Sequence, residues 1–338
     1  MRAQLVELLP QSLADREGWA ADIQVAFQAL RIPPSTENLC AALAVTEQES
    51  GFKVDPAVPN LGRIAREEIE RRAARLRIPK LAVAAALELR AGGNLTYAAR
   101  LAAVRSEREL SELFERFIDQ VPLGQRLFGR ANPVRTGGPM QVSIAFAEAH
   151  ARWHGYPYAS ERSIRQEVFT RRGGLYFGIA HLLGYPNSYE RHLYRFADFN
   201  AGWYASRNAA FQAAVAAVTG IPLALDGDLI LPAPRLGEAR IGATEVAVRS
   251  LGPAIGLDDD AIRRALERGD RADFEETELY QRVFALAEQR AGKPLPRAVI
   301  PNIRLQSPKI TRRLTTEWFA TRVQGRYQRC VNKAFGRR

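Results

Sequence analysis

The stretch Leu39-Cys40-Ala41-Ala42-Leu43-Ala44-Val45, followed by Thr46-Glu47-Gln48-Glu49-Ser50-Gly51-Phe52, constrains this chain most strongly. Small and apolar residues run on as a helix and end in two acids, a serine and a glycine. Gly51 is a natural stop, because glycine takes the left-handed backbone that closes a helix. Glu49 then falls in the last helical turn, at the rim of whatever the helix packs against. A carboxylic acid set against an apolar wall keeps its proton to a higher pH than a solvated one, because desolvation disfavours the charged form. A general acid for glycosidic cleavage needs that property. The same residues also read as two ordinary solvated acids at a helix end.

Two more stretches bear on that choice. They are Gly137-Gly138-Pro139-Met140-Gln141-Val142 and Phe196-Ala197-Asp198-Phe199-Asn200-Ala201-Gly202. With Glu49-Ser50-Gly51-Phe52 they resemble, in the same order, the three signatures of the lytic transglycosylases with a goose-type lysozyme fold. That family carries Glu-Ser-Gly-Phe with its catalytic acid, then Gly-Leu-Met-Gln, then Ala-Tyr-Asn-Ala-Gly. The likeness runs from Leu39 to Asn208, and Gly174 to Leu183 is similar to the helix that precedes the third signature. The whole chain also resembles a family of Gram-negative envelope lipoproteins of unassigned activity.

The resemblance implies a mainly α protein with a lysozyme-like core, acting on the bond between N-acetylmuramic acid and N-acetylglucosamine in peptidoglycan. Glu49 aligns with the single acid of that family, which protonates the bridging oxygen. The substrate's acetamido group then stabilises the positive centre. The ionised acid next takes the proton of the sugar 6-hydroxyl, which closes a 1,6-anhydro ring without water. Glu47 lies roughly 200° around the helix from Glu49, so the two cannot face one pocket.

Ser50, Met140, Gln141 and Asn200 align with substrate-binding positions of the family. A thioether suits a sugar face, and an amide suits an acetamido group; Met140 reads equally as core. Trp203 and Tyr204 are stacking candidates that also read as core. Asp198 reads as a helix-face acid. Phe199 stands where the family more often has tyrosine, which removes a hydroxyl that Tyr194 or Tyr204 would have to supply. No cofactor or metal is expected: His150 and His154 lie four apart near Glu148, but no third ligand can be named.

The long interval from Glu49 to Met140 departs from compact members of the resembled family. The expected division is therefore 1–60 with 131–220 as the lysozyme-like core, 61–130 as an inserted helical subdomain, and 221–338 as a C-terminal extension. Helices are expected over residues 4–32, up to Gly51, through the Ala-, Arg-, Leu- and Glu-rich stretch 61–130, and over most of the remainder. The Asp-Gly within 221–234 predicts a short hairpin.

Lys and Arg number 48 against 37 Asp and Glu, a net charge of +11. That balance favours an anionic partner, and glycan strands bearing peptide carboxylates fit it as well as nucleic acid does. No nucleic-acid-reading motif is present, so none is expected as a partner. The N-terminal residues lack a signal peptide's apolar core, which taken literally means cytoplasm. The resemblance instead implies a signal and lipid-modified cysteine upstream, and a periplasmic, outer-membrane-attached location. Cys40 and Cys330 are the only cysteines. They read either as a long-range disulfide or as two separate buried thiols.

Overall fold

A computed structural model describes residues 1–120, 132–232, 240–305 and 312–336. The described chain is mainly helical, with one short antiparallel strand pair. It divides into two compact units. Among the described residues, one holds 1–35, 45–120 and 132–181; the other holds 36–44, 182–232, 240–305 and 312–336. The division falls inside two helices, α3 (Thr36–Ser50) and α10 (Arg171–Leu183), rather than at 60 or 131. Among the described residues no helix is long and apolar enough to cross a membrane.

The first unit opens with α1 (Arg2–Leu8) and α2 (Arg16–Ala29). The helical pattern over 4–32 is thus two helices, since Pro10 lacks the N–H that would continue the first. Leu5 and Leu9 are fully buried, as are Ile23 and Phe27. Next come α4 (Leu61–Arg75), α5 (Lys80–Leu87), α6 (Tyr97–Ala103) and α7 (Glu107–Asp119), which pack on one another. Thr96 and Ser106 cap α6 and α7 by accepting from the N–H groups of Ala99 and Glu109. Gly62 lets α4 lie against the Leu101 carbonyl of α6, where a Cβ would collide. The helical part of the expected insertion, 61–120, therefore belongs to this unit, and 121–130 lies outside the described residues.

Strands β1 (Thr136–Gly137) and β2 (Val142–Ser143) pair antiparallel, Thr136 opposite Ser143. Ser143 caps α8 (Ile144–His154), and a capping box of Ser163 and Gln166 starts α9 (Ile164–Val168). Glu167 is fully buried between hydrogen bonds from Tyr156, Ser160 and Arg172.

The second unit contains α11 (His192–Ala201), α12 (Ala205–Thr219), α13 (Ala243–Ser250), α14 (Gly252–Ile255), α15 (Asp259–Leu266), α16 (Glu278–Ala291) and α17 (Thr316–Ala334). Its core joins Phe211 and Val215 of α12 to Val248, Ile262, Phe274, Val283 and Phe284. The boundary expected at 220 falls inside this cluster, because α12 presents its apolar face to α13, α15 and α16. Buried Glu245 accepts from Arg249 and Arg263, tying α13 to α15. Cys40 and Cys330 form a disulfide with Cα atoms 5.5 Å apart.

The hairpin expected within 221–234 is not there among described residues 221–232. Gln212 of α12, 1% exposed, replaces a strand partner. Its amide oxygen accepts from the Gly227 N–H, and its nitrogen donates to the Asp228 carbonyl, the Asp226 carboxylate and the Thr244 hydroxyl. With Asn208 donating to the Gly227 carbonyl and the Asn302 N–H to the Leu225 carbonyl, partners other than a strand bond the loop.

Candidate functional site

Glu49 occupies the last turn of α3 and is half-buried, as is Glu47. The helix stops in two consecutive left-handed residues, Gly51 at φ 58° and Phe52 at φ 60°. The Gly51 N–H donates to the Glu47 carbonyl at 3.1 Å, closing the turn. A Cβ on Gly51 would meet nothing within 4 Å, so the glycine is there for its backbone angle and not for space. Phe52 is anchored edge-on against Trp19, with ring centroids 5.6 Å apart. The acid therefore stands on a helix end whose exit path is pinned by a buried aromatic pair. Ser50 turns its hydroxyl back to the Thr46 carbonyl at 3.2 Å.

The second motif forms the turn between β1 and β2. Gly138 is left-handed at φ 73° and sits where a Cβ would strike the Val168 carbonyl. Gln141 is also left-handed, at φ 49°. Its amide nitrogen donates to the Gly138 carbonyl and its amide oxygen accepts from the Thr136 hydroxyl. Met140 is 0% exposed and fills the space left by the missing side chain of Gly178 in α10. The expectation that Met140 lines a groove is thus corrected: its thioether is core packing, sealed from solvent.

The third motif lies in the second unit, at the end of α11. Gly202, at φ 113°, ends the helix with its N–H on the Asp198 carbonyl at 2.7 Å. Asp198 is fully buried and not on a solvated helix face. It accepts from the Tyr189 hydroxyl at 2.6 Å, the Tyr185 hydroxyl at 3.0 Å and the Ser206 N–H at 2.7 Å. Burial pushes its carboxyl above the ordinary range, opposed by those bonds.

Asn200 is exposed, and its side-chain oxygen accepts from the Thr316 hydroxyl at 3.1 Å. Phe199 lies parallel to Phe319. Trp203 is half-buried and stacked on Tyr185 at 5.0 Å. Tyr204 is core: it is 3% exposed, donates to the Pro186 carbonyl and carries the Arg207 guanidinium 4.2 Å from its ring centroid. It cannot present a face to a ligand or supply the hydroxyl that Phe199 lacks.

Sequence reading missed a cavity of about 650 Å³ in the second unit, walled by Tyr189, Glu190, Tyr194, Glu275, Tyr280 and Arg297. The Tyr280 hydroxyl is buried there with no hydrogen-bond partner among the described residues. No local pattern announces this site, because its wall comes from three separate segments. His150 and His154 stack on each other at 4.7 Å, and burial together with His154 lowers His150 to about 4. Among the described residues no group of three or more His, Cys, Asp and Glu is placed to hold a metal.

The family model described as "Protein of unknown function (DUF1615)" matches residues 12–333. The chain belongs to that family. The DUF1615 match spans all three motifs and both cysteines. A relative, the uncharacterized protein YaiW of Escherichia coli (strain K12), is 54% identical over 325 residues, covering 96% of this chain and 88% of its own. No solved structure matches.

Proposed function

We propose that this chain is a peptidoglycan lytic transglycosylase, with Glu49 as its single general acid and base. The observation that carries the reading is Glu49 half-buried in the last turn of α3, directly before the left-handed pair Gly51 and Phe52. Glu49 lends a proton to the bridging oxygen as the glycosidic bond breaks. It then takes back the proton of the 6-hydroxyl as that oxygen closes on the anomeric carbon. Gln141, in the same unit as Glu49, offers the glycan the amide capacity left over from its own turn. The place of action is the periplasmic face of the outer membrane, with attachment through a lipid anchor. The disulfide accords with an oxidising compartment.

The test is digestion of purified sacculi followed by separation of the muropeptides. Wild type is expected to release 1,6-anhydro products, and Glu49→Gln to release none while keeping its fold and its binding to sacculi. Absence of anhydro products from wild type ends the enzymatic reading. Binding without cleavage then favours the second reading, a catalytically inactive peptidoglycan-binding or scaffolding protein on the same frame. Two observations favour that alternative: Phe199 lacks a tyrosine hydroxyl, and Gln141 spends its amide on its own turn.

A further inference from the structure

Helices α4 to α7 of the first unit line an open apolar cavity of about 350 Å³, within the range of small-molecule sites. Its wall includes Ile69, Leu76, Ile78, Val83, Leu87 and Phe117. Three observations separate it from a packing defect. The first is α5, Lys80-Leu81-Ala82-Val83-Ala84-Ala85-Ala86-Leu87, which is apolar at every position after Lys80 and has no buried residue. An apolar helix left only half-buried forgoes part of the burial that normally holds such a segment in place.

The second is the mouth. Leu76, 73% exposed, and Ile78 both line the cavity and stand at the surface, and Leu81 beside them is 82% exposed. The third is the wall itself: every lining residue is apolar except Tyr97, whose hydroxyl is buried away from the cavity.

The segment at the mouth also carries charge. Arg75-Leu76-Arg77-Ile78-Pro79-Lys80-Leu81 alternates cations with the apolar residues that enter the cavity. Arg75 pairs with Glu68, which Arg71 and Arg72 also contact. Arg77 and Lys80 are exposed at the mouth, and the acid on this stretch, Glu88, lies beyond the far end of α5.

We propose that this cavity takes the acyl chain of an anionic lipid. The chain fills the apolar space, and Arg77 and Lys80, exposed beside Leu76 and Ile78, stand by the anionic headgroup. The chemistry matches part by part: hydrocarbon against hydrocarbon, and cations where the charge must stay wet. This site is independent of Glu49 and of the proposed cleavage.

The probe is lauroyl lysophosphatidylglycerol below its micellar concentration, titrated calorimetrically into the full chain. Saturable one-to-one binding is expected. Glycerophosphoglycerol, the headgroup alone, is expected not to bind, and lauroyl lysophosphatidylcholine to bind roughly tenfold more weakly. Arg77→Glu with Lys80→Glu is expected to bring the anionic lipid down to the level of the zwitterionic one. Ala86→Trp, which fills the cavity, is expected to abolish binding with an unchanged circular dichroism spectrum. Should that variant misfold, Leu76→Asp decides, because its position is exposed and tolerates a charge. Undiminished binding by Leu76→Asp, equal binding of the two lipids, or binding of the headgroup alone overturns the proposal.

Discussion

Cys40, in the first half of α3, is disulfide-bonded to Cys330 in α17, 290 residues away. Within the second unit the bond ties the helix that leads to Glu49 to the C-terminal helix. A cross-link closing so long a loop removes many conformations from the unfolded chain, a contribution of about 2–5 kcal/mol. Cys330→Ser is therefore expected to lower the melting temperature by several degrees. Dithiothreitol is expected to lower that of wild type and leave the variant unmoved. Equal melting curves for wild type in oxidised and reduced form would show that the bridge adds nothing.

Glu167 makes acid sensitivity a local matter. Burial alone would push its carboxyl up, but hydrogen bonds from Arg172, Ser160 and Tyr156 outweigh that and hold it at about 2. The ordinary value is 4.5, so between these two values the unfolded chain binds more protons than the native one. The contribution is fully present above about 4.5 and is lost as the pH falls to about 2. Its scale is about 3 kcal/mol. Urea unfolding of wild type at pH 5 and pH 3 is expected to show this loss, and Glu167→Gln to flatten it. An unchanged pH slope in the variant would assign the acid sensitivity to other carboxylates.

Arg207 is fully buried in α12 and uses the fork of its guanidinium. It donates to the Gly269 carbonyl at 2.6 Å, the Arg271 carbonyl at 2.9 Å and the Asn208 side-chain oxygen at 3.1 Å. Its planar face lies between the rings of Tyr204 and Phe274. Lysine keeps the charge and loses both the fork and the stacking. Arg207→Lys is expected to cost about 2–4 kcal/mol in chemical denaturation. A cost below about 0.5 kcal/mol would mean that water replaces the lost bonds.

Local rules made the helices readable. The stop at Gly51 acts over a few residues, whereas the break at Pro10 divides a stretch, 4–32, expected as helix. What stayed hidden depends on distant partners. Gln212 replaces a hairpin because Gly227, Asp228 and Thr244 converge on it. Asp198 looks like a surface acid until Tyr185 and Tyr189 arrive from the preceding loop. Met140 reads equally as groove or core from its motif, and only the position of Gly178 shows it to be core. The α5 cavity was invisible for the same reason: its wall is assembled from four separate helices.

The path from α3 to the rest of its unit offers a way to test whether Glu49 is positioned or merely present. Gly51→Ala adds a methyl that meets nothing, so its cost is the left-handed backbone alone, about 1 kcal/mol. Phe52→Ala instead removes the ring that packs on Trp19, with an expected cost of about 3 kcal/mol. Phe52→Leu retains most of that apolar contact. Under the proposed chemistry Phe52 acts through Glu49 without touching substrate, so Phe52→Ala is expected to lower kcat for anhydromuropeptide release at unchanged KM. Phe52→Leu is expected to restore most of kcat, and Gly51→Ala to fall between. Assays run well below each variant's melting temperature separate this effect from unfolding. If Phe52→Ala turns over as wild type does while melting earlier, the Trp19–Phe52 pair stabilises the fold and does not set the acid.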